Sequence, residues 1–417
     1  MEEGKTAHTR SFSNVTANSF FPRIEALRGL AALVVAADHV WQSPWRDASG
    51  ETRSFIPSPA NDVFGGWTTL VLWTFGNGLA AVNLFFVISG FVLLQSLMRG
   101  PASITANTTR FVIARLLRIY PAAVATIGVF FLVFEATGTH ISDPANYAPL
   151  SLLRNAFLID TSINGVMWTL KLEVIAIPLF IVGFLLFRYL GVIALAVLLA
   201  AILILATWKP WINLVDTPLG LRLLPFFAVG MIVFAFGRKG SEWCPAPIAA
   251  LVLVLAAVGT LVPPALLSTD FQTKHHVEMV CDAIIVGLLA FGSIGRLGKL
   301  FDHSIVRFYG RISYSFYLVN PLTLIVYWNA PGVLGRLVLG SGIPGIVMAL
   351  IMLVTSVVVT TPIAWLIYRY VERPGISIGK LIAARLLART SRCGEEPRAR
   401  LLPPVKAKIF ATLFCSE

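Results

Sequence analysis

The first strongly apolar segment of the chain, RIEALRGLAALVVAADHV, carries a guanidinium and an imidazole on one helical face. Arg28 and His39 are eleven residues apart, so at about 100° per residue they project within roughly 20° of each other. The rise between them is about 16 Å, half of the hydrocarbon core of a bilayer. An imidazole at that depth suits a general base or a nucleophile. The alternative is a snorkelling arginine and a histidine packed against a neighbouring helix.

A second basic pair opens the segment RFVIARLLRIYP. Arg115 and Arg118 are three residues apart, so they are neighbours on one helical face. Forked guanidinium donors bind phosphate groups bidentately, which predicts an anion site at the mouth of this helix. The alternative is that these residues only anchor the helix on the cytoplasmic side.

A third apolar segment, VMWTLKLEVIAIPLF, contains Lys171 and Glu173. Counted from Val166, Glu173 lies about 10 Å below the outer membrane surface, and His39 lies about 18 Å above the inner one. In a core of about 30 Å the two side chains reach nearly the same depth. The pattern predicts a contact in which the carboxylate orients the imidazole; a structural hydrogen bond between helices is the alternative. Asp38 points about 100° away from His39, which favours a packing or loop contact.

The composition shows what kind of element must position these residues. The chain has 417 residues, 57% of them hydrophobic and 13% charged, and a mean hydropathy of +0.79. A soluble protein has about a quarter charged residues, and a disordered chain has few apolar ones. The net charge of +12 is spread between apolar segments rather than gathered in a basic domain. The sequence therefore predicts an all-α polytopic membrane protein and no nucleic-acid partner.

Apolar segments of near-bilayer length predict about ten transmembrane helices. With the N-terminus inside, ten spans place 25 Lys and Arg residues on the inner side and seven on the outer side. This asymmetry favours both termini in the cytoplasm. Two long predicted outer loops, 42–66 and 136–165, are expected to form ordered caps over an opening. The ten segments are Ile24–Trp41, Trp67–Met98, Phe111–Glu135, Val166–Phe187, Leu190–Thr207, Leu221–Gly237, Ile248–Val262, Val277–Gly295, Tyr309–Trp328 and Ile343–Tyr370.

Six motifs in this order resemble the acyltransferase-3 family of integral-membrane O-acyltransferases. They are RIEALRGLAALVV followed by His39, FFVISGFVLL, RFVIARLLRIYP, MWTLKLE, ISYSFYLVNP and VERP, and they extend from Arg23 to Pro374. The family has ten core spans and transfers acyl groups, commonly acetyl, from cytoplasmic acyl-coenzyme A to hydroxyls of glycans or small glycosylated products. The resemblance implies three parts: a cytoplasmic segment 1–22, an acyltransferase domain 23–374 and a basic cytoplasmic tail 375–417.

The resemblance also assigns roles. It implies that His39 and Glu173 are catalytic, that Arg28, Arg115 and Arg118 bind the acyl donor, and that further contacts come from five residues. Relatives often have a histidine at the position of Asn320. An amide there can form hydrogen bonds but cannot shuttle protons near neutral pH. The five residues expected to contact the acceptor or support the catalytic pair are Asp38, Trp168, Lys171, Tyr317 and Asn320.

The expected activity is O-acyl transfer in a bacterial-type inner or plasma membrane. Acyl-coenzyme A is the co-substrate, and neither a permanently bound cofactor nor a metal is expected. The acceptor would be a glycan, a lipid-linked sugar or a small glycosylated metabolite that arrives from either side of the membrane. The oligomeric state is left open, with a homodimer as one option. The alternative is a secondary transporter of an organic anion or sugar, which ten spans and intramembrane charges permit. No matching pair of broken apolar segments supports transport.

Overall fold

The structure is a computed structural model that describes residues 20–42, 45–46, 52–53, 72, 74, 76–208, 220–241, 245–262, 271–329 and 345–399. The regular secondary structure within these ranges is helical, apart from one antiparallel pair formed by β1 (Trp45–Arg46) and β2 (Thr52–Arg53). The predicted all-α fold is therefore confirmed for the described residues. The predicted segment 1–22 and the predicted loop 42–66 lie largely outside them.

Fourteen α-helices occur in the described ranges. They are α1 (Pro22–Gln42), α2 (Gly78–Met98), α3 (Ile104–Thr137), α4 (Pro149–Ala156), α5 (Trp168–Ile175), α6 (Ile177–Leu190), α7 (Val192–Trp208), α8 (Gly220–Ser241), α9 (Ala246–Leu261), α10 (Phe271–Phe291), α11 (Gly298–Asp302), α12 (Ser304–Asn329), α13 (Gly345–Ile367) and α14 (Arg373–Ala399). Short 3₁₀ turns occupy Pro144–Tyr147, Gly165–Met167 and Gly295–Leu297, and a π-helical turn occupies Tyr368–Glu372.

Each of the ten segments predicted as spans overlaps a helix. By length and apolar composition, four helical stretches of the described chain are able to cross a membrane: Gly78–Met98, Ile104–Thr137, Gly165–Leu190 and Ala349–Leu386. A fifth is added if Thr273–Phe291 and Gly295–Asp302, which meet at 84°, count as one span. Three shorter apolar helices lie at Val192–Trp208, Arg222–Phe236 and Ala246–Leu261. A multi-pass membrane protein follows, while the count of ten and the orientation stay predictions.

Helix α1 lies against α2 and α12, and the contact with α12 depends on two glycines. A Cβ on Gly29 would lie 2.5 Å from the backbone nitrogen of Gly310. A Cβ on Gly310 would in turn run into the backbone carbonyl of Glu25. Small residues that allow two backbones to approach are typical of helix contacts in membranes. This approach sets α1, which carries Arg28 and His39, directly beside α12, which carries Tyr317 and Asn320.

Helix α3 is held at both ends by the expected capping residues. The Ser103 hydroxyl accepts a hydrogen bond from the Ala106 backbone N–H, and Gly138 ends the helix with φ of +67°. A left-handed C-terminal glycine satisfies the last carbonyls without a steric penalty. Helix α14, which includes part of the predicted basic tail, packs along α3 through Gly375 and Gly379.

Candidate active site

A cavity of about 350 Å³ lies beside the carboxyl-terminal half of α1. Its wall includes Asp38 and His39 from α1, Trp168 from α5 and Tyr317 from α12. The loop between α3 and α5 closes one side with Ile141, Asn164 and Gly165. The loop 136–165, predicted to cap an opening, does line this cavity.

The imidazole of His39 contacts an amide in this wall. Its Nδ1 is 3.1 Å from Oδ1 of Asn320, a residue that is 2% exposed. The Asn320 Nδ2 group donates to the Ser356 hydroxyl over 3.0 Å, and that hydroxyl is 2.7 Å from the hydroxyl of Thr323. A hydrogen bond that holds one ring nitrogen of a histidine leaves the other ring nitrogen, here Nε2, to face the cavity.

The predicted contact between Glu173 and His39 is wrong. One oxygen of Glu173 accepts a hydrogen bond from Arg115 Nη2 at 2.7 Å, and the other accepts from the Ser89 hydroxyl at 3.0 Å. The side chains of Arg115 and Glu173 are 8% and 17% exposed, so this is a nearly buried ion pair. The depth argument placed Glu173 correctly near the site, but the neighbouring cation captures the carboxylate. The His39 imidazole contacts Asn320 instead.

A second acidic residue faces the basic pair. The π-helical turn Tyr368–Glu372 brings Glu372 to 3.8 Å from Arg118 Nη2, and its other oxygen accepts from the Ser315 hydroxyl at 2.9 Å. The guanidinium of Arg118 also lies over the Tyr314 ring, 5.9 Å from the centroid. π-Helical turns recur at functional sites. Sequence reasoning missed Glu372, although the VERP motif contained it.

A smaller cavity of about 40 Å³ lies between the larger cavity beside His39 and the arginines that face Glu173 and Glu372. Arg28, Ser89 and Glu173 line it, and Val82 and Tyr317 belong to the walls of both cavities. The electrostatic neighbours of Arg28 are Arg115, Arg118, Glu173 and Glu372. Arg28 and His39 thus project, as predicted, from the same face of α1, each into one of these two cavities. Arg28 and the imidazole therefore line adjacent cavities, and Arg115 and Arg118 lie behind the smaller one as neighbours of Glu173 and Tyr314.

Three residues that were expected to support the site have different positions. Trp168 lies in the wall of the larger cavity and packs edge-on against Phe86, with 6.1 Å between the ring centroids. Asp38 is in the same wall, but one of its oxygens accepts from Gln42. Lys171 is not brought into either cavity, because its ammonium donates to the Ile159 carbonyl at 2.8 Å in the preceding loop. A role for Lys171 in contacting the acceptor or supporting the catalytic pair therefore stays a prediction.

One buried amide was missed by sequence reasoning. Asn164 is fully buried in the cavity wall; its Nδ2 donates to the Leu318 carbonyl at 2.9 Å, and its Oδ1 has no hydrogen-bond partner among the residues that the structure describes. Buried polar atoms are normally paired, so an unpaired acceptor in a cavity wall suits a substrate hydroxyl. The sequence contained no signal for it, since Asn in a loop is common.

Another polar cluster lies on α10, apart from both cavities. Lys274 donates to the carbonyls of Gly259 and Thr260 at the end of α9 and is 3.6 Å from Glu278. Glu278 accepts from Asn83 at 2.8 Å. A cation at the carboxyl end of a helix stabilises that end, so the cluster fastens α9 to α10.

A sequence model of the acyltransferase-3 family, described as an acyltransferase domain, matches residues 21–369. The match spans both cavities and all the arginines of the basic cluster. No curated protein and no solved structure matches the chain.

Proposed function

Because this chain belongs to the acyltransferase-3 family, it is an acyltransferase, and we propose that it acylates hydroxyl groups at the cavity beside His39. The donor would be acyl-coenzyme A, with acetyl as the acyl group. The acceptor would be a carbohydrate or a glycosylated small molecule. The observation that carries the proposal is that Arg28, at the basic cluster, and His39 line two adjacent cavities that share the walls of Val82 and Tyr317.

The donor phosphates would bind at the cluster of three guanidiniums and two carboxylates. Arg115 is engaged by Glu173, and Arg118 faces Glu372 at 3.8 Å. Arg28 makes no hydrogen bond or ion pair with any residue in the described ranges, which leaves its five donors for a phosphate. We therefore assign Arg28 and Arg118 the direct phosphate contacts. Arg115 mainly holds Glu173 and adds positive charge.

The reacting groups would meet in the larger cavity. With Nδ1 held by Asn320, the second ring nitrogen of His39, Nε2, takes the proton of the acceptor hydroxyl. The oxygen attacks the thioester carbonyl, the carbon–sulfur bond breaks, and the leaving thiolate takes the proton back from the imidazolium. An acyl-histidine intermediate would use the same nitrogen. Asp38, Asn164 and Trp168 would contact the acceptor, Trp168 by stacking on its apolar face.

The membrane setting completes the proposal. Ten spans would put both termini in the cytoplasm of a bacterial-type cell, so that the basic cluster faces the cytoplasmic donor. The acidic and amide groups around His39 would then face the outer half of the bilayer. The loop between α3 and α5 would lie on the outer side, over the mouth of the larger cavity. The charge asymmetry of the loops supports this orientation.

The test is acyl transfer from radiolabelled acetyl-coenzyme A by the purified protein in detergent, with a panel of glycans and glycosylated metabolites. His39→Ala is expected to lower turnover by about 10²- to 10⁴-fold, the range of a lost general base. His276→Ala is the matched control, because this exposed imidazole on α10 lies outside both cavities at the candidate site. Wild-type turnover by a correctly folded His39→Ala protein would reject the mechanism.

A further inference from the structure

The amide that contacts His39 ends a chain of hydrogen bonds between α1, α12 and α13. The Thr323 hydroxyl donates to the Asn320 backbone carbonyl at 2.7 Å and lies 2.7 Å from the Ser356 hydroxyl. Asn320 Nδ2 is 3.0 Å from that Ser356 oxygen, and Asn320 Oδ1 is 3.1 Å from His39 Nδ1. Asn320, Thr323 and Ser356 are at most 5% exposed, so solvent does not compete for these bonds.

The chain has one direction, because each hydroxyl carries one proton and a backbone carbonyl only accepts. Thr323 uses its proton on the Asn320 carbonyl, so it can only accept from Ser356. Ser356 therefore uses its proton on Thr323 and must accept from Asn320. The Asn320 group that faces Ser356 is then the NH₂, and the group that faces His39 is the carbonyl oxygen. An oxygen there requires a proton on His39 Nδ1.

We propose that Thr323 and Ser356 are positioning residues that fix the tautomer of His39 through Asn320. The proposal deepens the proposed function and rests on it for the role of Nε2. With the proton on Nδ1, Nε2 holds a lone pair and can accept the hydroxyl proton of the acceptor. A rotated Asn320 amide would present its NH₂ to Nδ1, place the ring proton on Nε2 and remove the base. Two remote hydroxyls thus keep the imidazole in its reactive form.

The direct test is the tautomer itself, read by solid-state NMR of ¹⁵N-histidine-labelled full-length protein in bilayers. His39→Ala identifies the His39 signals among the six histidines of the chain. In the wild type we expect the proton of the neutral ring on Nδ1. Ser356→Ala should yield a mixture of both tautomers, since Asn320 then has no partner that fixes its rotation. A wild-type proton on Nε2, or an unchanged spectrum in Ser356→Ala, would overturn the proposal whether or not acyl transfer is detected.

The kinetic test uses the same variant and a neighbour on the same helix. Ser356→Ala should lower kcat by up to about twofold without changing the donor KM, because losing one net hydrogen bond takes the Nδ1-protonated share of the ring from about three-quarters or more to about half. Thr355→Ala is the control, because the Thr355 hydroxyl is exposed and donates to Ile351 of its own helix. It should leave both constants unchanged. An equal loss in Thr355→Ala, or a change confined to KM, contradicts the assignment.

A third comparison separates positioning from packing. In an Asn320→Asp background both carboxylate oxygens accept, so His39 Nδ1 keeps its proton whatever faces the other oxygen. Ser356→Ala should then leave kcat unchanged, whereas a packing role would cost the same factor in both backgrounds. If acetyl-coenzyme A supports no turnover by the wild type, the proposed function fails, and the NMR comparison still decides the tautomer.

Discussion

The ion pair of Arg115 and Glu173 makes a strong prediction about stability. Glu173→Gln preserves the side-chain volume and an acceptor for Ser89, but it leaves the Arg115 guanidinium nearly buried without a counter-ion. Two unit charges 2.7 Å apart interact by about 6 kcal/mol at an effective dielectric constant of about 20, before desolvation is subtracted. Measured losses for one partner of a buried pair are about 3–5 kcal/mol. We expect a loss in that range, at least a 100-fold change in the folding equilibrium.

The measurement is the temperature at which the detergent-solubilised protein loses its monodisperse elution, for single and double variants. Arg115→Met should destabilise the protein by a similar amount, and Arg115→Met combined with Glu173→Gln by less than the sum. Residues in direct contact give such coupling, whereas independent sites add. The control is Asp302→Asn, which removes an ion pair with Arg23 at the surface. The side chains of Arg23 and Asp302 are 30% and 48% exposed, so the loss of this pair should cost under about 1 kcal/mol.

Two results would refute the reasoning. Additive losses in the double variant would mean that the two charges do not stabilise each other. A Glu173→Gln protein with wild-type stability and a lowered kcat would instead support the arrangement expected from the sequence, in which Glu173 orients His39. The structure predicts the opposite pattern, because both oxygens of Glu173 are occupied by Arg115 and Ser89.

Two further predictions concern close packing and the charge of the basic cluster. Gly78→Ala should destabilise the protein by about 1–3 kcal/mol in the same thermal assay, because the added Cβ would lie 2.6 Å from Asp38 Cγ. Gly128→Ala, where a Cβ meets nothing within 4 Å, should be neutral or slightly stabilising; equal losses in the two variants would contradict this. Glu372→Gln should lower the apparent acetyl-coenzyme A KM severalfold at low salt, because it frees Arg118 for an anion. A raised KM would show that Glu372 is needed to position Arg118.

The local geometry of the site followed from the sequence. The spacing of Arg28 and His39 fixes their common direction on α1, and the structure places them in adjacent cavities. The spacing of Arg115 and Arg118 likewise determines that they share a helix face. Apolar length predicts helices at all ten segments, because only helices satisfy their own backbone groups in lipid. Each of these inferences uses only the spacing or the length of residues within a single helix.

Partner choice between helices could not be predicted in the same way. Depth along the bilayer normal places Glu173 level with His39, but it says nothing about position around the bundle. Arg115 lies closer and carries a full charge, so it takes the carboxylate. His39 contacts Asn320, which the sequence ranked as a supporting residue because an amide does not shuttle protons near neutral pH. Its role depends on Ser356, 36 residues away on another helix.

The distribution of charge at the candidate site would suit the proposed anionic donor at one end and a neutral acceptor at the other. Three guanidiniums meet two carboxylates: Arg115 pairs with Glu173 and Arg118 faces Glu372, whereas Arg28 has both carboxylates only as electrostatic neighbours among the described residues. A phosphate beside Arg28 would supply the third negative charge of the cluster and remove the free-energy cost of a partly buried cation without a direct counter-ion. Eleven residues further along α1, at about 16 Å, the contact of His39 is an uncharged amide. An uncharged amide adds no opposite charge beside the imidazole, whereas a carboxylate partner would favour the protonated ring, which cannot act as a base.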